Sequence, residues 1–151
     1  MTHTHTEPEI VIFDGDCGIC NETREWAEAR DRDKRLRFVP FQIADLDALS
    51  PGLTYEQASR MAWFIPASGR RMGGARAIFM ILTRLPGMWR IVGAVGAFPP
   101  VSLLCEPFYR IVAHNRSRIS GWLGLNYCMV RGVPTRLPPG EDAAKPSSPA
   151  N

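Results

Sequence analysis

Two rhythms of hydrophobic and polar residues alternate along this chain. Ile10-Val11-Ile12-Phe13 is an unbroken apolar run that ends at Asp14-Gly15-Asp16. Such a run without a polar face predicts a short buried strand, from Glu9 to Phe13. From about Gly18 to Arg30 the spacing changes. Ile19, Thr23, Trp26, Ala27 and Arg30 recur at three- and four-residue intervals, and Glu22, Glu25 and Glu28 lie off that stripe, as in an amphipathic helix. Leu36–Val39, stopped by Pro40, reads as a second strand. Ile43–Leu49 and Thr54–Arg60 read as helical pieces separated by Ser50-Pro51-Gly52. Met61–Ile65 is a third strand, and Arg70–Met72, after a Ser68-Gly69 turn, a fourth that closes a hairpin.

Beyond Gly73-Gly74 the helical period returns. Ala75–Leu85 predicts a helix stopped by Pro86-Gly87. Met88–Phe98 and Val101–Arg118 read as further helices punctuated by prolines. From Pro134 onward, five prolines in eighteen residues predict a disordered tail. The order β-α-β-α-β-β-α gives the α/β class and matches a small three-layer thioredoxin-like unit, although periodicity alone does not select that topology. The expected organisation is a single domain over residues 9–128, with a C-terminal helical extension over about 87–124. Residues 1–8 and 134–151 are expected to be flexible. There is no internal repeat.

Length agrees with one compact domain: 151 residues bury roughly 70% of their unfolded surface, enough for a core without disulfide staples. Charge alters the picture more. The net +3 conceals 12 acids and 6 bases in residues 1–56, against 11 arginines and a single acid, Glu106, in residues 57–140. Those arginines are dispersed and carry no recognition motif, so no nucleic acid is expected as a partner. A solvated basic surface is the plainer reading. Weak contact with an anionic membrane surface, or with an acidic protein, is the sharper one. Met88, Trp89, Ile91, Val92 and Phe98 are expected to pack the helical extension onto the sheet. The fifteen-residue uncharged stretch Ile91–Cys105 is too short and too broken by glycine and proline to span a membrane. The first residues lack the basic and apolar segments of a secretory signal, so a soluble, cytoplasmic protein is expected.

Candidate chemistry concentrates at the first strand–helix junction, Asp14-Gly15-Asp16-Cys17-Gly18-Ile19-Cys20. Cysteines two residues apart at a helix start can form a disulfide. At the helix N-terminus the unpaired N–H groups and the helix dipole favour a Cys17 thiolate. Cys20, one turn further in, is expected to be the more buried resolving thiol. Asp14 and Asp16 oppose the Cys17 thiolate by charge, and a buried Asp14 would instead accept a proton from Cys20. The plainer role for Asp16 or Cys17 is helix cap, and for Gly15 a turn residue. A closed zinc site wants two local ligand pairs, whereas Cys105, His114 and Cys128 stand singly, so no metal is expected. The strand ending in D-x-D also resembles the nucleophile motif of haloacid-dehalogenase-type phosphatases. The chain lacks the downstream lysine and acidic pair that such chemistry needs, since its only lysines are Lys34 and Lys145. Cys105 and Cys128 are expected to be packing residues. His3 and His5 are expected in a flexible end without a metal role, and His114 on a helix surface or in packing rather than as a ligand. If Arg76, Arg110 or Arg116 folds beside Cys17, it would favour the thiolate and offset the two aspartates.

Phe13-Asp14-Gly15-Asp16-Cys17-Gly18-Ile19-Cys20, with Asp31-Arg32-Asp33, Leu36-Arg37-Phe38, Phe41-Gln42 and Tyr109 to Arg118, resembles the DCC family of thiol-disulfide oxidoreductases over about residues 10–124. The resemblance implies a thioredoxin-like fold, with Cys17 and Cys20 as the redox pair, Asp14 beside them, and Gly15 and Asp16 in support. Two features depart from the pattern. Cys128 is not followed by the family's Cys-x-x-Pro spacing. Ser59-Arg60 stands before the third strand where thioredoxins place a cis-proline, leaving Pro40 or Pro66 as candidates to approach the site. The expected function is cytoplasmic thiol–disulfide exchange on a disulfide-containing protein or small-molecule thiol, without a cofactor. The alternative is a non-catalytic binding module whose C-x-x-C holds a metal or is vestigial.

Overall fold

A computed structural model describes residues 7–125, 127–130 and 133–136. Its centre is a four-stranded sheet ordered β2-β1-β3-β4, from β1 (Glu9–Phe13), β2 (Leu36–Pro40), β3 (Trp63–Ile65) and β4 (Met72–Gly73). β1 pairs in parallel with β2, Glu9 opposite Leu36 and Phe13 opposite Pro40, and antiparallel with β3, Val11 opposite Phe64. The parallel pair requires a crossover, supplied by helix α1 (Gly18–Glu28). Short helices α2 (Leu46–Leu49) and α3 (Tyr55–Arg60) lead to β3, and α4 (Ala75–Arg84) follows β4. This is the thioredoxin-like arrangement with helices added at the C-terminal side.

Strand alternation divides the core into two halves. Val11 and Phe64 pack against Ala27 of α1 and Ala77 and Ile81 of α4. Their neighbours Ile12 and Ile65 point the other way, into Phe41, Leu46 of α2 and Ala58 of α3. Successive residues of a strand face opposite sides, so the unbroken apolar run in β1 is what a strand covered on both faces requires. Trp26 and Trp89 meet edge to face at 4.8 Å and bring α5 (Met88–Ala97) against the α1 side.

Several boundaries differ from the sequence expectation. α6 runs without a break from Pro99 to Trp122, 24 residues. Pro99 and Pro100 occupy its first turn, where the missing N–H groups have no helical partner in any case. Pro107 lies inside it, exposed together with Leu103, so the carbonyl that loses its donor sits on the solvent side. Tyr127–Val130 (β5) and Val133–Arg136 (β6) form a separate antiparallel hairpin. The disordered tail expected from Pro134 therefore gives way to strand at residues 134–136. Residues 137–151 and 1–6 lie outside the described residues. Met88, Ile91, Val92 and Phe98, expected to pack onto the sheet, are exposed instead. Only Trp89 of that group joins the core.

Glu106, the lone acid of the basic half, has a structural task. α4 begins at Gly74, which has no side chain to cap the helix and adopts φ 68°. Glu106 Oε2 accepts a hydrogen bond from Ala75 N–H at 3.0 Å, so a residue of α6 caps α4. A Cβ at Gly74 would lie 2.5 Å from that same carboxylate oxygen. The carboxylate satisfies an unpaired N–H and faces the positive end of the helix dipole. Glu106→Ala is expected to lower stability by about 1–2 kcal/mol, read as a reduced urea midpoint with unchanged slope.

Candidate active site

The loop between β1 and α1 is held from three directions. Gln42, just after β2, accepts from Gly15 N–H at 3.1 Å and donates to Asp14 Oδ1 at 2.6 Å and to Asp16 Oδ2 at 3.3 Å. Asn21, fully buried on α1, donates to the carbonyls of Gly15 and Cys17 at 2.8 and 2.9 Å. From the far end of the chain, Arg116 of α6 pairs with Asp14 Oδ2 at 2.7 Å and donates to the Ser59 carbonyl at 2.6 Å. The Asp14 and Arg116 side chains are 13% and 19% exposed, so this ion pair is largely withdrawn from water. Both Asp14 oxygens are thus engaged, one by Arg116 and the other by Gln42 and Asp16 N–H.

Cys17 and Cys20 are joined as a disulfide, with Cα atoms 5.2 Å apart, inside the usual range for such a bridge. Cys17 is the N-cap of α1, and its Sγ accepts from Cys20 N–H at 3.3 Å. Burial reverses the expected order: Cys17 is 5% exposed, whereas Cys20 is half-buried. The cause is the cover supplied by α6 and the segment after it. Ser120 Oγ accepts from Ile19 N–H at 3.1 Å. The Leu125 backbone lies so close over Gly18 that a Cβ there would collide with the Leu125 carbonyl.

Cys17 nevertheless lines a cleft of about 900 Å³. Its walls come from Asp14 and Asp16, from Ser59, Arg60 and Met61 ahead of β3, from one face of α6, and from Leu125 and Tyr127. The α6 face contributes Tyr109, Arg110, His114 and Arg116. Of the three arginines proposed to approach Cys17, Arg116 and Arg110 line this cleft and Arg76 does not. Arg110 is paired with Glu106 at 3.1 Å. Tyr109 accepts from Ala62 N–H at 2.8 Å. Burial holds its phenol above the ordinary value, against the opposing pull of that N–H and of Arg116. No cis peptide bond occurs among the described residues, and neither Pro40 nor Pro66 lines the cleft. His114 is exposed on α6, as expected, and Cys105 is a half-buried free thiol. Among the described residues, no three His, Cys, Asp or Glu side chains converge on a metal site. The side chain of Cys128 lies outside the described residues.

Tyr127 closes the cleft from the hairpin side. Its hydroxyl reaches Glu22 Oε1 at 3.1 Å and Glu25 Oε1 at 3.2 Å on α1. Burial and these carboxylates push the phenol up to about 12. A phenol with a raised folded-state value contributes stability that is complete below its unfolded value, about 10. That contribution is lost as pH rises towards 12. Tyr127→Phe is expected to remove this alkaline loss while lowering stability by about 1 kcal/mol at neutral pH. Thermal unfolding at pH 7, 10 and 11 reads both effects.

Comparison with known proteins settles the family. Residues 11–122 match the DCC1-like thiol-disulfide oxidoreductase family. The chain belongs to that family. It is also 26% identical over 134 residues to the uncharacterized protein YuxK of Bacillus subtilis (strain 168), covering 86% of this chain and 92% of that protein. No solved structure matches it significantly. The matched span includes both cysteines, Asp14, Gln42 and Arg116, and all of the cleft lining except Leu125 and Tyr127. In the sequence, Arg116 is one of three dispersed candidates to approach Cys17 and part of the Tyr109–Arg118 segment that resembles the family. Gln42 and Ser120 were missed as site residues, since polar residues 28 and 101 positions from their partners leave no local signal.

Proposed function

We propose that this chain is an oxidoreductase whose Cys17–Cys20 pair cycles between disulfide and dithiol, the disulfide reacting with the thiols, and the dithiol with the disulfide, of a substrate entering the α6 cleft. The observation that carries this reading is Cys17 itself: a helix N-cap sulfur, disulfide-bonded to Cys20, on the wall of a cleft. In the reducing direction the Cys17 thiolate attacks one sulfur of a substrate disulfide. A Cys17–substrate bond forms, the substrate S–S bond breaks, and the other substrate sulfur leaves as thiolate. Cys20, once deprotonated, attacks Cys17 Sγ, releases the second substrate thiolate and closes the Cys17–Cys20 bond. The substrate gains two electrons and the dithiol loses two. Running backwards, the same steps oxidise a dithiol.

Cys17 suits the attacking role because it faces the cleft and caps α1, where unpaired N–H groups favour a thiolate. Asp14 acts through position: its ion pair keeps Arg116 in the cleft and its contacts with Gln42 and Asp16 N–H fix the loop, with Gly15 held by Gln42. Cys17 is nearly covered, so the substrate presents its sulfur on a slender arm, as a small-molecule thiol or an extended cysteine segment does. The test is intact mass with and without reductant. A reversible gain of two hydrogens, mapped to Cys17 and Cys20, accompanied by catalytic reduction of a small disulfide, is expected. A pair that resists reduction, or that copurifies with stoichiometric zinc, would reject the proposal and favour a binding module.

A further inference from the structure

Among the described residues, the side of α6 opposite the cleft is left exposed. Of fourteen large hydrophobic residues left exposed among the described residues, twelve lie between Met88 and Leu123. On α5, Met88, Ile91, Val92 and Val95 recur at helical spacing, with exposures of 66%, 68%, 42% and 60%. On α6, Leu104, Phe108 and Ile111 begin a stripe, at 74%, 74% and 62%, that ends at Trp122, 90% exposed. A turn of 100° per residue places this stripe on the side of α6 away from Arg110, Ala113, Ser117 and Ser120 of the cleft. Apolar stripes of this extent mark an interaction surface rather than scattered exposure.

Charge selects the occupant. Arg118 lies on the α6 stripe, whereas Arg90 of α5 points well round the helix from the stripe of Met88, Ile91, Val92 and Val95. Both are exposed, and neither makes an ion pair among the described residues. The one nearby acid, Glu106, is already committed to α4 and Arg110. A second copy of this chain would bring arginine towards arginine, whereas anionic lipid headgroups would meet them with opposite charge. Among the described residues no single helix is long and apolar enough to cross a membrane, and α5 and α6 reach that length and apolarity only as a pair bent by 93°. Two helices with exposed apolar stripes, one of them carrying Arg118, suit a seat in the headgroup region. We propose that the α5–α6 face docks this protein on an anionic bilayer surface, with the cleft left open on the opposite side of α6.

Flotation of the full-length chain with phosphatidylcholine vesicles, and with vesicles containing phosphatidylglycerol, tests this. Binding to the anionic vesicles is expected, and the Leu104→Asp/Phe108→Asp variant should partition at least about tenfold more weakly. Arg118→Gln should weaken it roughly fivefold at low salt, with the difference lost at high salt, whereas Arg90→Gln, turned away from the stripe, should weaken it less. These side chains are exposed, so thermal unfolding of all the variants should match the parent. Absence of flotation, equal flotation with neutral vesicles, or indifference to the aspartates would overturn the proposal. A sedimentation-equilibrium dimer that dissociates on Leu104→Asp/Phe108→Asp, without vesicle binding, would assign the face to a second copy.

Discussion

Cys17→Ser is expected to abolish disulfide reduction, a loss on the order of a thousandfold or more in kcat/KM, because the bond-forming sulfur is gone. Cys20→Ser should lose turnover equally, for a different reason. Its first step survives, so a mixed disulfide with the substrate accumulates on Cys17. Incubating the reduced Cys20→Ser protein with a small disulfide and recording intact mass should show one adduct, located on Cys17 by peptide mapping. The half-exposed position of Cys20 makes the opposite assignment the informative rival. An adduct on Cys20 in Cys17→Ser, with none on Cys17 in Cys20→Ser, would reverse the roles. The cleft decides the expectation, because Cys17 lines it.

Arg116→Gln should produce the second large effect. It leaves the Asp14 carboxylate largely withdrawn from water, with the Gln42 and Asp16 N–H bonds but no counter-charge. The Ser59 carbonyl loses its donor in the same change. Removing one partner of a buried pair costs about 3–5 kcal/mol. With both groups retaining some solvent access, about 3 kcal/mol is expected, or roughly 6–12 °C in Tm for a chain of this size. Asp14→Asn/Arg116→Gln should recover much of that loss, because no lone charge remains. The pH midpoint of Cys17 alkylation should rise in Arg116→Gln, where Asp14 stands unopposed near the sulfur, and return towards the parent in the double variant. An unchanged Tm and alkylation profile in Arg116→Gln would show that the pair neither supports the fold nor tunes the thiol.

Legibility in the sequence followed the range of the interactions. β1, α1 and the C-x-x-C between them were readable because strand, turn and helix signals act within a few residues. The long helix α6 was readable as helix but not as one piece. Prolines usually break helices, and the placement of Pro99 and Pro100 in the first turn, with Pro107 on the solvent side, depends on where the helix starts and packs. The β5–β6 hairpin was hidden behind prolines for the same reason: Pro134 sits within a two-stranded hairpin. Burial of the cysteines was misjudged because the cover over Cys17 comes from Ser120 and Leu125, more than 100 residues away.

The sequence by itself determined the α/β order, the two cysteines and the opposed charge of the two halves, because each is a local or compositional property. Only the tertiary structure showed how those halves meet. Asp14 of the acidic half binds Arg116 of the basic half, and Glu106, the lone acid of the basic half, caps α4. It also decided that the apolar side chains of α5 and α6 face outward. Periodicity identifies an apolar stripe on a helix, but only packing determines whether that stripe meets the core or the solvent.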